Sequence, residues 1–323
     1  MKKSLWERPN CNLCGSKDYG IMHDKLSYWE YEGIFRIVKC KQCSLVYLHP
    51  RPPVTEIGKY YESENYFGRD IAHEQKLDDA QTREEVFSPA YEVIFKKKKK
   101  GKILDIGAGT GLFLSKFKEK GWDVDGIEIT SDAVKYAKKF YNVRLRQGDF
   151  FDFSLPKGAY DVVALNGALE HMHHPLETLM KSHEYLKKGG LVILSVPNVE
   201  GLGRHIFKKH WFPWQPPRHL YHFSPKTARM ILEKAGFESI VIKHTYSVQN
   251  SYILFQSMRY SKSPKFALKK TGGLIDQSLV EVKSSSLKVK LGKHIWKLLV
   301  SILAKLEEYI GRGEVILVYA KKA

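Results

Sequence analysis

No stretch constrains the fold more than ILDIGAGTGLFL at 103–114. A short apolar run carrying Asp105 reads as a strand, glycines alternate at Gly107, Gly109 and Gly111, and a helical apolar pattern starts at Leu112. Glycines this dense after a strand mark a turn whose backbone a ligand approaches closely. The dinucleotide fingerprint G-x-G-x-x-G fails at its third glycine, where Leu112 stands, and no G-K-[ST] follows to make a phosphate loop. Asp105 beside the turn suits a ligand carrying positive charge better than it suits a pyrophosphate.

From Lys102 onward the chain alternates strand and helix: KILDIG, a helix over 112–120, WDVDGIEI, a helix over 131–140, VRLRQG, YDVVALNG, a helix around 176–187, then LVILSVPN. That order predicts a doubly wound, Rossmann-like α/β sheet with ligands at the carboxyl ends of its strands. Glu128 ends the second strand, where a carboxylate can accept both hydroxyls of a ribose. Asp149, in QGDF after the third strand, stands where an adenine amino group would be met; the competing reading is a turn or N-cap acid.

The chain's only cysteines, Cys11, Cys14, Cys40 and Cys43, form two C-x-x-C pairs around a segment that alternates like short strands. Two such turns complete a tetrahedral zinc site with no open position. The expected metal is therefore structural, and its binding supplies the folding energy of a small ribbon. Buried metal-free thiols and a redox pair are the competing readings. The prolines of LHPRPPV mark the exit from this module. The expected organisation is a zinc ribbon over 1–50, a linker and helix over 51–100, and the main domain over 101–323.

The formal charge of +18 admits nucleic acid, an anionic membrane or acidic substrates without choosing among them. There is no secretory apolar segment and no run of about 18 apolar residues, so a cytoplasmic protein is expected. Part of the excess lies in an insertion over 250–312: residues 251–312 hold 12 Lys and Arg against 4 Asp and Glu. There Leu291, Ile295, Leu298, Ile302, Leu306 and Tyr309 share one helical face, flanked by Lys290, Lys293, Lys297 and Lys305. Such a face packs on its own protein, on a homodimer mate, or, through 288–310, peripherally on the inner face of the membrane.

Taken in order, LDIGAGTG, the acid at Glu128, GDF and DVVALNGALEHMHHP resemble the class I S-adenosylmethionine-dependent methyltransferases over about 101–237, with a last strand at GEVILVYAKK. The resemblance implies a seven-stranded methyltransferase sheet with a helical insertion before its last strand, and S-adenosyl-L-methionine as cofactor. It implies that Gly107, Gly109 and Gly111 approach the methionine part, with Asp105 alongside, that Glu128 holds the ribose, and that Asp149 contacts the adenine. The ribbon, with CNLCG and CKQCSLVYLHPRP, is similar to one found on bacterial sugar methyltransferases.

In the resembled family the segment ALEHMHHP faces both cofactor and acceptor. A histidine there suits proton removal from an acceptor hydroxyl, so His171 is the expected general base, with Glu170 on the ligand side. The competing reading is that both only fix the loop. His171, His173 and His174 also invite a catalytic-metal reading, against which stands their cramped spacing in a turn ahead of Pro175. After the fifth strand, Trp211, Trp214, Arg218, His219, Tyr221 and His222 form the expected acceptor site by stacking and anion binding, or else a packed aromatic lid. The expected reaction is methylation of a small molecule, with a nucleotide-linked or lipid-linked sugar of surface glycan synthesis as the analogy-based choice. The alternatives are RNA methylation, for which no aromatic–basic nucleic-acid motif is recognisable, and a non-catalytic cofactor-binding module.

Overall fold

The computed structural model describes residues 6–28, 31–61, 80–244, 248–262 and 302–323. Its larger sheet has seven strands in the order β10-β11-β8-β7-β4-β5-β6. These are β4 (Lys102–Ile106), β5 (Asp123–Glu128), β6 (Arg146–Gln147), β7 (Tyr160–Asn166), β8 (Leu186–Pro197), β10 (Phe237–His244) and β11 (Val315–Lys322). Strands β4 to β8 run parallel, and β11 lies antiparallel between β8 and β10. In β4 every residue after Lys102 is buried. A strand covered by helices on both faces is buried along its length rather than at alternate residues, and here that includes the acid Asp105. Because β5 and β7 flank β4, the strand order reverses there, and the carboxyl end of β4 is where an open sheet of this kind binds ligands.

The helix after β4, α3 (Leu112–Glu119), turns Phe113, Leu114 and Phe117 inward. Its partner is α2 (Ala80–Lys97), and the rings of Tyr91 and Phe113 stack at 5.2 Å. Next come α4 (Ser131–Tyr141) and α5 (Pro175–Tyr185), each close to its expected bounds. A short helix Leu202–Phe207 and the helices Pro225–Lys234 and Val248–Lys262 complete the far end.

The cysteine-bearing region forms a second sheet, β1 (Tyr19–Tyr28), β2 (Tyr31–Cys40), β3 (Val46–Leu48) and then β9 (Tyr221–His222), which comes from the main domain. Val46 pairs with His222 and Tyr47 with Tyr221. The ribbon's sheet is thus completed by the loop after the fifth strand of the main sheet, and one hydrophobic core runs from Leu45 and Leu48 to Trp211, Leu220 and Phe223. Buried Arg51 fastens the seam. It pairs with Glu7 at 2.5 Å and donates to the His173 carbonyl (3.1 Å) and the Tyr221 hydroxyl (2.6 Å). Residue 50 therefore marks a change of sequence character and not a break in the core.

Of the amphipathic face, Leu291, Ile295 and Leu298, with Lys290, Lys293 and Lys297, lie outside the described residues. In the described helix over 302–309, Ile302, Leu306 and Tyr309 are exposed while Ala304 and Glu307 are buried. Among the described residues no helix is long and apolar enough to cross a membrane.

Glu307 packs beside Glu314 at the start of β11, and both are fully buried. Glu314 accepts from the Gly203 amide (2.6 Å) and the Trp211 indole (2.5 Å). Burial, and then the neighbouring Glu314 carboxyl, raises the Glu307 pKa, and burial raises that of Glu314. Arg204 lies near enough to temper Glu314. Carboxyls whose folded pKa exceeds the unfolded value stabilise the fold fully in acid, and that contribution is lost as pH rises through the folded pKa. Glu307→Gln should therefore flatten the fall in melting temperature of the wild type from about pH 5 to pH 9. Parallel wild-type and variant profiles across that range would contradict a Glu307 carboxyl whose pKa is raised by burial.

Candidate active site

The three glycines do different work. All adopt positive φ, at 73° for Gly107, 52° for Gly109 and 79° for Gly111. A Cβ on Gly107 would sit 2.8 Å from the Ala168 Cβ, and one on Gly111 would sit 2.9 Å from the Ala137 Cβ. These two let the loop after β7 and the helix α4 close on the turn. A Cβ on Gly109 would meet nothing within 4 Å, so its open face is where a ligand can approach the backbone.

Glu128, at the end of β5, is locked to that turn. Its Oε2 accepts from the Gly109 amide (2.9 Å), and its Oε1 accepts from the Thr130 amide (2.8 Å) and hydroxyl (2.5 Å). A carboxylate oxygen has two lone pairs, so Oε2 keeps one for an incoming donor. Asp105 is buried, and its Oδ1 has no partner. Burial, reinforced by Glu128, raises its pKa well above the carboxylate range. Asp149 caps the short 3-10 helix Phe150–Asp152, accepting from the Phe151 amide (2.8 Å), while the Asp152 side chain returns a bond to its amide. The capping geometry foreseen as the competing reading is present, next to the Gly148 amide that donates to the Glu128 carbonyl (3.0 Å).

Beyond β7 the chain turns through Gly167 into a short 3-10 helix, Leu169–His171. Glu170 is buried, its Oε2 has no partner, and burial pushes its pKa up to about 8. His171 keeps some accessible surface but is tightly surrounded, and burial, then the Arg218 guanidinium, pushes its pKa down to about 3. Its Nδ1 lies 3.2 Å from the Arg218 carbonyl and 2.9 Å from the Tyr61 hydroxyl. A carbonyl only accepts, so the tautomer that donates to Arg218 carries its proton on Nδ1 and keeps the Nε2 lone pair, while the Tyr61 hydroxyl can accept from Nδ1 or donate to it. His219 stands edge-on to His171, with ring centroids 4.5 Å apart. Its Nδ1–H donates to the Pro213 carbonyl at 2.7 Å, which also leaves Nε2 free to accept. One ligand atom from each of Glu170, His171 and His219 lies within 4.8 Å of the other two.

The other histidines of the run point elsewhere. His173 is buried and donates to the Pro52 carbonyl (2.9 Å), and His174 is exposed at the start of α5. In the second aromatic cluster, Trp211 and Trp214 are buried, with their indole N–H groups donating to Glu314 and to the Lys208 carbonyl. Tyr221 is held by Arg51 and itself donates to the His173 carbonyl. Arg218 is buried and donates to Gln215, and His222 is packed edge-on to Trp214 with neither ring nitrogen partnered. Trp211, Trp214 and Tyr221 belong to the core shared by ribbon and sheet, and of the six only His219 brings a ligand atom close to Glu170 and His171. Sequence spacing offered no signal for that meeting. The Leu220 amide, which donates to the Glu170 carbonyl at 2.8 Å, fastens the two loops together.

In the ribbon the four cysteine sulfurs lie within 4.8 Å of one another, with Cys11–Cys43 at 3.4 Å and Cys14–Cys40 at 3.5 Å. A tetrahedron of thiolates around zinc has S–S edges of ~3.8 Å for bonds of ~2.3 Å, so the set fits that ion. Each knuckle ends on a residue of positive φ, Gly15 and Ser44, whose amides return to the Cys11 and Cys40 carbonyls. Burial raises the Cys11 and Cys43 thiols, whereas at Cys40 backbone amides outweigh burial and bring the thiol down to about 7.

This fold and this turn define a family. A methyltransferase-domain family matches residues 79–242, just over half of the chain, and the chain belongs to it. Among its relatives, the ubiquinone biosynthesis O-methyltransferase of Idiomarina loihiensis is 26% identical over 153 residues, 44% of this chain and 63% of that protein. The dTDP-3-amino-3,4,6-trideoxy-alpha-D-glucopyranose N,N-dimethyltransferase of Streptomyces venezuelae is 29% identical over 96 residues, 28% of this chain. The chain spans 63% and 40% of the lengths of these two relatives. In fold it is similar to the Haemonchus contortus phosphoethanolamine N-methyltransferase 2, solved with phosphomonomethylethanolamine and S-adenosylhomocysteine, at a TM-score of 0.54 and 18% identity over 86% of this chain and 62% of that one.

Proposed function

We propose that the chain transfers the methyl group of S-adenosylmethionine to a small-molecule acceptor, a nucleotide-linked or lipid-linked sugar, and that zinc holds its ribbon. One observation carries the reading. The open backbone at Gly109, tied to Glu128, and the Glu170–His171 turn follow the carboxyl ends of the neighbouring strands β4 and β7, and Ala168 packs so close to Gly107 that the turn has no room for a side chain there. Cofactor and acceptor sites that share one crevice at the carboxyl end of β4 and β7 are what an in-line displacement needs, because alignment supplies much of the rate. Glu128 takes the ribose hydroxyls, Asp149 borders the adenine, and Asp105 lies beside the positively charged amino acid end. Glu170 and His171 activate the acceptor. Zinc, when bound, supplies folding energy and no reacting group.

The sugar assignment draws on the sugar-nucleotide dimethyltransferase among the relatives and on the ribbon's likeness to those of sugar methyltransferases. A panel of sugar nucleotides, lipid-linked sugars and RNA incubated with methyl-labelled cofactor tests it. Label is expected in a sugar. Label in RNA alone would establish the rival reading, and cofactor binding with no transfer to any of them would support a non-catalytic module.

The exposed side chains Ile302, Leu306 and Tyr309, in a basic insertion, support peripheral docking on an anionic membrane. Each Lys or Arg near such a surface contributes about 1 kcal/mol, screened by salt. Flotation with phosphatidylserine vesicles should carry the protein at low salt and release it at high salt, and Leu306→Asp with Tyr309→Asp should abolish binding. A protein that stays off vesicles but sediments as a dimer would assign the face to a second copy.

A further inference from the structure

We propose that Glu170, His171 and His219 form a second metal site, distinct from the cysteine cluster, which takes a divalent transition ion and presents it to hydroxyl oxygens of the acceptor. The inference rests on the methyltransferase reading for its purpose but not for its geometry. One ligand atom from each residue lies within 4.8 Å of the others, so modest side-chain rotation brings all three onto one ion. Two imidazoles and one carboxylate suit a borderline divalent ion such as zinc, manganese or iron, and three protein ligands leave positions open.

The surroundings are those of a prepared site. The Glu170 Oε2 is buried with no hydrogen-bond partner, a costly arrangement that an ion would relieve. Both imidazoles have their Nδ1–H engaged, His171 on the Arg218 carbonyl with the Tyr61 hydroxyl alongside, and His219 on the Pro213 carbonyl. Metal-binding histidines are oriented in this way by a bond from the other nitrogen, which fixes the tautomer and strengthens the ligating lone pair. Leu220, next to His219, is anchored on the Glu170 backbone, so the two segments that carry the ligands cannot drift apart.

The chemistry balances without a strong protein base. An acceptor hydroxyl bound to the ion is acidified and gives its proton to solvent water. The oxygen then forms a bond to the methyl carbon as the carbon–sulfur bond breaks, and the electron pair stays on sulfur, giving S-adenosylhomocysteine. An ion with more than one open position favours acceptors that carry hydroxyls on adjacent carbons.

The test uses full-length protein with its ribbon metal in place, titrated with Mn²⁺. One further ion per chain is expected to bind, and pulsed electron paramagnetic resonance should show coupling to imidazole nitrogen, which the cysteine cluster cannot supply. His219→Ala should weaken Mn²⁺ binding on the order of 100-fold and Tyr61→Phe, which loses a bond to a ligand's far nitrogen, about tenfold. S-adenosylhomocysteine titrated into the same samples reports whether the cofactor fold survives. No additional ion, or a bound ion without nitrogen coupling in the wild type, would overturn the site even if no variant folds. If Mn²⁺ binds with nitrogen coupling while S-adenosylhomocysteine does not bind, the metal site stands and the methyltransferase reading falls.

Discussion

Glu128→Ala is expected to weaken S-adenosylhomocysteine binding about 100-fold, a loss of about 3 kcal/mol, read by calorimetry. The carboxylate does two jobs at once. It holds the Gly109 and Thr130 amides and the Thr130 hydroxyl, and the one lone pair left on Oε2 is available to the ribose. Hydrogen bonds to a charged group contribute about 1.5–3 kcal/mol each, so removing the acid both loosens the turn and deletes the ribose contacts. Glu128→Gln keeps the shape with half the acceptors and should lie between, at about tenfold. Wild-type affinity in Glu128→Ala would place the cofactor elsewhere and undo the reading of the glycine turn.

Removal of zinc is expected to destabilise the whole chain and not the ribbon alone. Purified protein should carry about one zinc at the cysteines, and structural zinc sites contribute on the order of 10 kcal/mol. Tyr47 pairs with Tyr221, and Arg51 ties the exit of the ribbon to His173 and Tyr221, so a disordered ribbon uncovers the wall behind Glu170 and His171. Cys40→Ser, or a strong chelator, should therefore produce one early melting transition and weaken methyl transfer as well. A zinc-free protein with unchanged melting, or an iron–sulfur absorption band, would refute the assignment.

Much of this was legible in the sequence, because it is local. The glycine turn needs positive φ at three alternating positions, and a residue pattern states that directly. Continuous apolar runs at β4 and β7 announce strands covered on both faces, and two C-x-x-C pairs announce a tetrahedral site. Glu128 could be found because its place follows from the end of the second strand. The capping role of Asp149 was legible too, as one of two readings.

Tertiary structure decided the rest. Only folding shows that Tyr221 and His222 complete the ribbon's sheet, and that Trp211 and Trp214 are wall and not open platform. It alone brings His219 to Glu170 and His171, and Glu307 to Glu314. These pairings join segments with no shared period, and each is set by which polar groups lose water together as the core closes. Hydrogen bonds and charges in such places change their energies by several kcal/mol on burial, and burial belongs to the packed chain, not to any stretch of it.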